Sequence, residues 1–191
     1  ENFTNTETGN LKGGNVEVTA NQDAIIKGTV SGTSVALDGK NSLTIEQNAQ
    51  VTATESDATL AGKNISNSGT VKAEKGNVGV TATEKFTNTA TGNLTGKNNV
   101  TVTAENADVA GTVTAETGAT TITATNDLSI KEGSKVSGGS VGLKAGDNLN
   151  IAESAQVTAT KGDATLTGKN VNNSGTVTAT GNVDVNASGK F

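Results

Sequence analysis

The side chains of this 191-residue sequence that could act on a substrate are carboxylates and lysine amines. The chain carries 19 Asp and Glu against 14 basic residues, all of them Lys, and it contains no His or Cys. Paired carboxylates, or a carboxylate beside a cation, can perform acid–base chemistry on polysaccharides. The Asp residues repeated in register are Asp57 and Asp163, in the stretches SDATL and GDATL, where Asp is a usual turn residue. We therefore predict no catalytic residues.

Metal, cofactor and phosphate sites have no matching pattern in the sequence. Clusters of His or Cys are impossible, tandem GGxGxDxUx turns do not occur, and no Gly-rich loop is followed by a helical period. The net charge of −5 is spread along the chain, which argues against a phosphate-binding surface. We expect no metal, no cofactor and no nucleic-acid partner.

The chain repeats itself, which indicates that it builds length rather than a single site. The stretch from Ala49 to Val71 returns as Ala155 to Val177 with 18 of 23 residues unchanged. Aligned by apolar residues, the repeat is about 21 residues long. The first apolar position of each unit is Phe3, Ala24, Leu43, Ile65, Phe86, Ala107, Leu128, Leu149, Val171 and Phe191.

Each unit contains three short stretches in which apolar and polar residues alternate, as in half-buried strands. The second inward position of the second stretch is always Ala or Gly, and so is the end of the third stretch. Positions restricted to the smallest side chains predict two corners where the wall of a narrow tube bends. The Ala residues predicted at the first of these corners are Ala53, Ala73, Ala115, Ala159 and Ala179.

Three strands per unit of about 21 residues predict an all-β fold, a right-handed parallel β-helix (β-solenoid) of about nine coils. Nine coils at the strand spacing of ~4.8 Å give a rod of roughly 40 Å. We interpret residues 1–191 as one β-helix segment, a fragment of a longer repeat shaft. Threonine runs also suggest an ice-binding face, but Lys12 and Lys72 fall in the outward column of the second strand, where long side chains would break a flat ladder.

Four Asn residues occupy an inward position that other units fill with Ile or Val. They are Asn5, Asn67, Asn88 and Asn173. A buried amide needs hydrogen-bond partners, which a neighbouring coil can supply through amide ladders or turn backbone. We predict a structural role for these internal Asn residues.

The repeats resemble the shaft repeats of filamentous haemagglutinin and the high-molecular-weight adhesins of two-partner secretion. The units that carry the resemblance are NSGTVKAEKGNVGVTA, NNSGTVTATGNVDVNASGKF and coils of the type GDNLNIAESAQVTAT. The resemblance implies a right-handed β-helix and secretion through an outer-membrane transporter to the surface of a Gram-negative cell. It also implies a shaft that projects a binding region, so that a host-cell or bacterial receptor would be bound by other regions.

Two other functions fit the same architecture. One is the stalk of a contact-dependent growth inhibition protein that delivers a toxin, and the other is a polysaccharide-processing β-helix enzyme. We also expect end-to-end self-association of this segment, because unpaired strand edges are templates for pairing.

Overall fold

The computed structural model describes residues 1–190, which form 23 β-strands joined by turns. Buried side chains alternate with half-buried or exposed ones along the strands, as in Gln50–Ala53 and Ala119–Ala124. This alternation follows from the period of two in the sequence, because successive side chains of a strand point to opposite sides. No stretch of residues 1–190 forms a helix that could cross a bilayer.

One sheet is built from the second strand of every coil, all parallel, and we call this sheet the second face. Its nine strands follow chain order, so each pairs with the equivalent strands of the previous and the next coil. The strands are Asn10–Lys12, Thr29–Gly32, Gln50–Ala53, Thr70–Ala73, Asn93–Gly96, Thr112–Ala115, Lys135–Gly138, Gln156–Ala159 and Thr176–Ala179.

The first and third faces of the coils together form a second sheet, of 14 strands. Its first-face strands are Phe3–Asn5, Asp23–Ile26, Asn106–Val109, Leu128–Ile130 and Asn148–Ile151. Its third-face strands are Asn15–Ala20, Val100–Ala104, Ala119–Ala124 and Ser140–Ala145. The strands that cover the third face and then the first face of the next coil are Ser34–Ile45, Ala58–Asn67, Val78–Asn88, Ala164–Asn173 and Val183–Lys190.

The continuous strands differ from the three separate strands per coil that the sequence predicts. The pairing register shifts between Gly39 and Ser42, and again between Ala82 and Lys85. These irregularities act as bulges, which bend a strand without ending its pairing. The small residues at this corner therefore bend the wall, as predicted, but in several coils they do not interrupt the strand.

The register of the first face follows the predicted repeat. Phe3 pairs with Ala24, and the same column continues through Leu43, Ile65, Phe86, Ala107, Leu128, Leu149 and Val171. We number the coils 1 to 9 by these residues; Phe191 lies outside the described residues. The predicted β-solenoid of about nine turns with a spacing of about 21 residues is confirmed. Its right-handedness stays a prediction.

The core is a continuous column of medium-sized side chains that runs through the stacked coils. Its largest fully buried members include Phe86, Ile26, Leu43, Leu94 and Ile122. Burying such a side chain contributes about 1.5–3 kcal/mol relative to leaving it exposed. Because the apolar surface of one coil is covered by the coils above and below, stability depends on stacking.

Candidate functional site

The second-face corner brings the predicted small residues into one buried column. Ala53, Ala73, Ala115 and Ala159 are each at most 3% exposed. Ala53 pairs with Ala73, and both pair with glycines of the neighbouring coils, at Gly32 and Gly96. A methyl group at Gly32 would lie 2.6 Å from the carbonyl oxygens of Gly14 and Ser34. The corner therefore accepts a methyl group in some coils and no side chain in others.

Ala179 stands in the same column but is only partly buried. It belongs to coil 9, and no described second-face strand lies beyond it. Among the described residues Ala179 is covered from the side of coil 8 only, and full burial of a coil needs a neighbour on both sides.

Two of the internal Asn residues form a buried pair across coils 4 and 5. Asn67 donates from Nδ2 to Oδ1 of Asn88 at 2.8 Å, and both residues are fully buried. Asn88 in turn donates to the carbonyl oxygens of Gly92 and Thr112, each at 3.2 Å. The amide pair thus links side chains of adjacent coils and satisfies turn carbonyls in the interior.

Asn5 makes an equivalent backbone contact in coil 1, where its Nδ2 donates to the carbonyl oxygen of Thr29 at 3.1 Å. Its side chain is 5% exposed. Asn67 is less well satisfied, since its Oδ1 is buried and finds no donor among residues 1–190. A buried acceptor without a donor costs free energy, so the hydrogen bonds of the Asn67 amide only partly offset the cost of burying it.

Asn173 corrects the prediction of an internal site. It pairs in register with Ile151, as the inward column requires, but it is exposed. The strand that covers coil 9 is described only to Lys190, which pairs with Asn170, so no described residue lies over Asn173. Its Oδ1 accepts the backbone N–H of Gly175 at 3.1 Å.

Asp57 heads a ladder of side chains between the second and third faces. Its Oδ1 accepts the backbone N–H of Asn77 at 2.7 Å and the Asn77 side-chain Nδ2 at 3.0 Å. Asn77 Oδ1 receives the same two bonds from Asn99, whose Oδ1 accepts the N–H of Ala119. Asp163 accepts the N–H of Asn182 in the same way. Both Asp residues therefore hold the next coil in place.

A second ladder lies between the third and first faces. Asp127 Oδ1 accepts the backbone N–H and the Nδ2 of Asn148, and Asn148 Oδ1 accepts from Asn170 at 2.9 Å. In coil 2, Asp23 Oδ1 accepts the hydroxyl of Ser42 and Nδ2 of Asn41, and these hydrogen bonds lower the pKa of Asp23. The sequence analysis did not predict these two ladders. The signal that could have found them is an Asp, Asn or Ser residue that recurs just before the apolar run of successive coils.

Three coils are joined on the first face by an ion cluster that was not predicted either. Asp108 lies 2.9 Å from Lys85 Nζ and 3.1 Å from Lys131 Nζ, on the coils before and after it. Partial burial raises the pKa of Asp108, but hydrogen bonds and charges from both lysines outweigh it and hold that pKa below its ordinary value of 3.8. The ionised form is therefore the one that the fold favours.

The surface offers one shallow depression of about 370 Å³ beside the first ladder. It is lined by Asp57, Asn77, Asn99 and the outward Thr59 and Thr121. Asp57 is the one acid among its lining residues, and its Oδ1 already accepts two hydrogen bonds. Residues 1–190 contain no group of three or more His, Cys, Asp or Glu that could hold a metal ion. The geometry supports a structural role for this carboxylate.

The outward column of the second face mixes small and charged side chains. Its registered members are Lys12, Ser31, Thr52, Lys72, Thr95, Thr114, Ser137, Thr158 and Thr178. Lys12 and Lys72 therefore interrupt the hydroxyl row, as the sequence predicts, and the column does not form a uniform flat face.

Comparison with known proteins agrees with the stacked architecture. The hemagglutinin repeat family matches residues 1–156, well over half of the chain. No curated protein and no solved structure matches the chain significantly. The family is a structural adhesin repeat rather than an enzyme family, and it is typical of secreted extracellular adhesins. The chain belongs to the hemagglutinin repeat family, and the resemblance to filamentous haemagglutinin-type repeats is confirmed.

Proposed function

We propose that this chain is a shaft segment of a secreted bacterial surface adhesin, which holds a binding region away from the cell. The observation that carries the proposal is the first-face column from Phe3 to Val171, whose strand pairing continues through all nine coils. A stack of this kind has a length set by its number of coils, which is the property that a spacer needs.

Three further features support a spacer. The corner residues and interior amides are engaged in packing and in hydrogen bonds between coils. The recurring carboxylates Asp57 and Asp163 accept hydrogen bonds from the following coil. The solvent side carries Thr, Ser, Asn, Lys and acids, which keep a long rod hydrated. Secretion through an outer-membrane transporter and receptor binding by other regions complete this proposal.

The proposal is tested by using the segment as a spacer on living cells. A binding module that is shielded by the surface polysaccharide of a Gram-negative cell would be displayed directly on a short anchor, or on the same anchor with residues 1–190 inserted. We expect the insertion, which adds roughly 40 Å, to restore capture of antigen-coated beads. The matched control is a flexible Gly/Ser insertion of about 50 residues, whose root-mean-square length of roughly 40 Å equals that of the rod but whose ends are not held apart.

Two outcomes would contradict the spacer. In the first, the β-solenoid insertion captures no more beads than the short anchor does. In the second, cells that display the segment without the binding module attach to host cells, which would make the segment a binding region. Release of oligosaccharides from pectin-like polymers by the purified segment would instead favour the enzyme.

A further inference from the structure

A patch of small, uncharged side chains covers the third face in coils 3 to 6. It consists of two outward positions from each of four successive strands, and most of these positions are threonine. All are exposed or half-exposed. The spacer role uses the length of the shaft and leaves this surface without a function. We call it the threonine patch, and its residues are Thr59, Ala61, Gly79, Thr81, Thr101, Thr103, Thr121 and Thr123.

The threonine patch is a regular grid. One column runs from Thr59 through Thr101 to Thr121 and the other from Ala61 to Thr123, and neither has a register shift. Neighbours in a column are one strand spacing of ~4.8 Å apart, and the columns are about 6.6 Å apart, two residues along a strand. Threonine is β-branched, which restricts rotation of its side chain. The grid is therefore rigid as well as regular.

The hydroxyl groups of the patch are free of intramolecular hydrogen bonds. Within residues 1–190 none of them bonds to another side chain or to a carbonyl oxygen, whereas on the second face the hydroxyls of Thr114 and Ser137 bond to each other at 3.0 Å. A threonine hydroxyl donates one hydrogen bond and accepts two, and its methyl group restricts the orientation of neighbouring water. Each threonine of the grid therefore offers the same set of contacts to water.

Charged side chains adjoin the patch in both columns but do not enter it. The nearest are Asp38 in coil 2 and Lys144 in coil 7. This distinguishes the patch from the second face, where Lys72 in coil 4 interrupts the hydroxyl row. Because the removal of a charge from liquid water is costly, a surface that exchanges its liquid hydration layer for a solid one must be free of charge.

The grid does not match a small soluble ligand. Sites for small molecules are concave and enclose most of the ligand, whereas the depression beside the patch is shallow. The patch has no aromatic side chain on which a ring could stack. Equivalent positions that repeat in two directions match a partner that is itself periodic and that both donates and accepts hydrogen bonds. Crystalline water has both properties.

We propose that the threonine patch binds ice. The hydroxyls hydrogen-bond to water molecules of the crystal surface, and the methyl groups hold further ordered water between them. Each contact is weak, but the rigid grid makes all of them at once and loses little conformational freedom in doing so. Binding takes place on the side of the shaft and is independent of the proposed spacer function.

Two positions of the grid lack a hydroxyl, and filling them should strengthen ice binding. A β-carbon at Gly79 would meet nothing closer than Thr59 Cγ2, at 3.8 Å, and the backbone there does not have a positive φ. Gly79→Thr therefore fits without strain, and Ala61→Thr adds a hydroxyl and a methyl group at an outward position. We expect each variant to bind ice more strongly than the unsubstituted chain, and the double variant to bind it most strongly.

A lysine within the grid should abolish ice binding. Thr101→Lys places a hydrated ammonium group at the centre of the patch, and Thr103→Lys does the same one position along the strand, so the test does not depend on one variant. The matched control is Thr158→Lys, the same substitution on the second face, in a column that already contains Lys12 and Lys72. It should leave ice binding unchanged. Circular dichroism checks that each variant is folded.

The experiment freezes a dilute solution of the purified chain slowly onto a cold probe and measures how the protein divides between ice and liquid. A growing crystal rejects solutes that do not bind to it. We expect the unsubstituted chain and Thr158→Lys to enter the ice, Thr101→Lys and Thr103→Lys to stay in the liquid, and the Ala61→Thr/Gly79→Thr variant to be the most enriched in ice.

Three results would overturn the proposal. The first is exclusion of the unsubstituted chain from ice, and the second is an equal loss of ice binding in Thr101→Lys and Thr158→Lys, which would show that the patch is not the binding surface. The third is weaker ice binding by folded Gly79→Thr, because a completed grid must bind better. If exclusion from ice is accompanied by self-association that Thr101→Lys abolishes and Thr158→Lys preserves, the patch binds a second copy of the chain instead.

Discussion

Adjacent residues of one strand tolerate different changes, because one side chain points into the coil and the next points to solvent. Ala159 is 2% exposed and stacks on Gly138 and Ala179 at the second-face corner. Its neighbour Thr158 is partly exposed and stacks on Ser137 and Thr178 in the outward column.

Ala159→Leu should destabilise the protein far more than Thr158→Lys does. The leucine forces three additional carbons into a packed corner, at a cost of about 1–3 kcal/mol or more from strain. The lysine joins a column that already contains Lys12 and Lys72, so its effect should stay within about 0.5 kcal/mol. Urea unfolding of both variants provides the measurement. Equal losses of stability would show that the inward and outward assignment is wrong.

The buried pair of Asn67 and Asn88 should behave as a unit. Asn67→Ile leaves the Oδ1 atom of Asn88 without its donor, and Asn88→Val leaves the Asn67 amide with a weak contact at 3.5 Å to the carbonyl oxygen of Asn93. Each single change should cost about 1–3 kcal/mol of unfolding free energy. The double variant restores an apolar column between Ile45 and Val109.

We therefore expect the double variant to lose less stability than the sum of the two single variants, by about 0.5–3 kcal/mol. A double-mutant cycle from denaturant unfolding measures this coupling. Strict additivity would contradict the amide pair, because independent residues show no coupling energy.

Inward and outward positions could be predicted from the sequence, because a strand in a stacked coil imposes a period of two on every unit. The hydrogen-bond partners of Asn5, Asn67 and Asn88 could not be predicted from the sequence. A partner lies on a neighbouring coil, and its identity depends on turn lengths that vary from coil to coil. The exposure of Asn173 depends on which residues cover coil 9, a property that no pattern within the coil reports.

At the scale of the strand, the sequence predicts the corners but not how the backbone passes them. Small residues mark each bend, whereas the continuity of Ser34–Ile45 depends on the register shift after Gly39. The ladders of Asp and Asn side chains that begin at Asp57 and Asp127 could not be predicted for a related reason, since Asp and Asn are also common in ordinary turns. What distinguishes a ladder is stacking of these residues in successive coils.

The ion cluster of Lys85, Asp108 and Lys131 joins the strands of coils 5, 6 and 7 and should make stability depend on pH. The folded-state pKa of Asp108 lies below its ordinary value, so its contribution is fully present above about pH 4 and is lost as the pH falls through the folded-state pKa. Asp108→Asn should therefore lower the unfolding free energy more at pH 7 than at pH 2.

The matched control is Ser129→Asn, which changes the uncharged residue that pairs with Asp108 on the next coil. Because neither serine nor asparagine is ionisable in this range, its effect on stability should be nearly the same at both pH values. Denaturant unfolding at pH 7 and pH 2 tests both variants. An Asp108→Asn effect that is equal at the two pH values would show that the cluster contributes no net stability.

At the scale of the whole molecule, the coils form a quasi-one-dimensional array in which each coil contacts its neighbours. Ala107 pairs with Phe86 on one side and with Leu128 on the other. Removal of residues 107–127 would therefore join Asn106 to Leu128 with every inward column preserved. Removal of residues 107–116, about half a coil, would place solvent-side residues in the interior and should prevent cooperative folding.

The central claim is that the protein is a shaft whose length is set by its number of coils, and a distance measurement between spin labels tests it most directly. The sequence contains no Cys, so spin labels attach only to the two cysteines introduced by Thr44→Cys and Asn150→Cys. Both positions lie in the outward column of the first face, which runs through Ser66, Thr87, Asp108 and Ser129, so five coil steps separate them.

Pulsed electron paramagnetic resonance should give a backbone separation of about 24 Å in the full chain and about 19 Å after deletion of residues 107–127, each with a narrow distribution. The shortening by one strand spacing of ~4.8 Å is the predicted result. A deletion variant that folds with an unchanged label distance, or a broad distribution in the full chain, would contradict the stacked shaft.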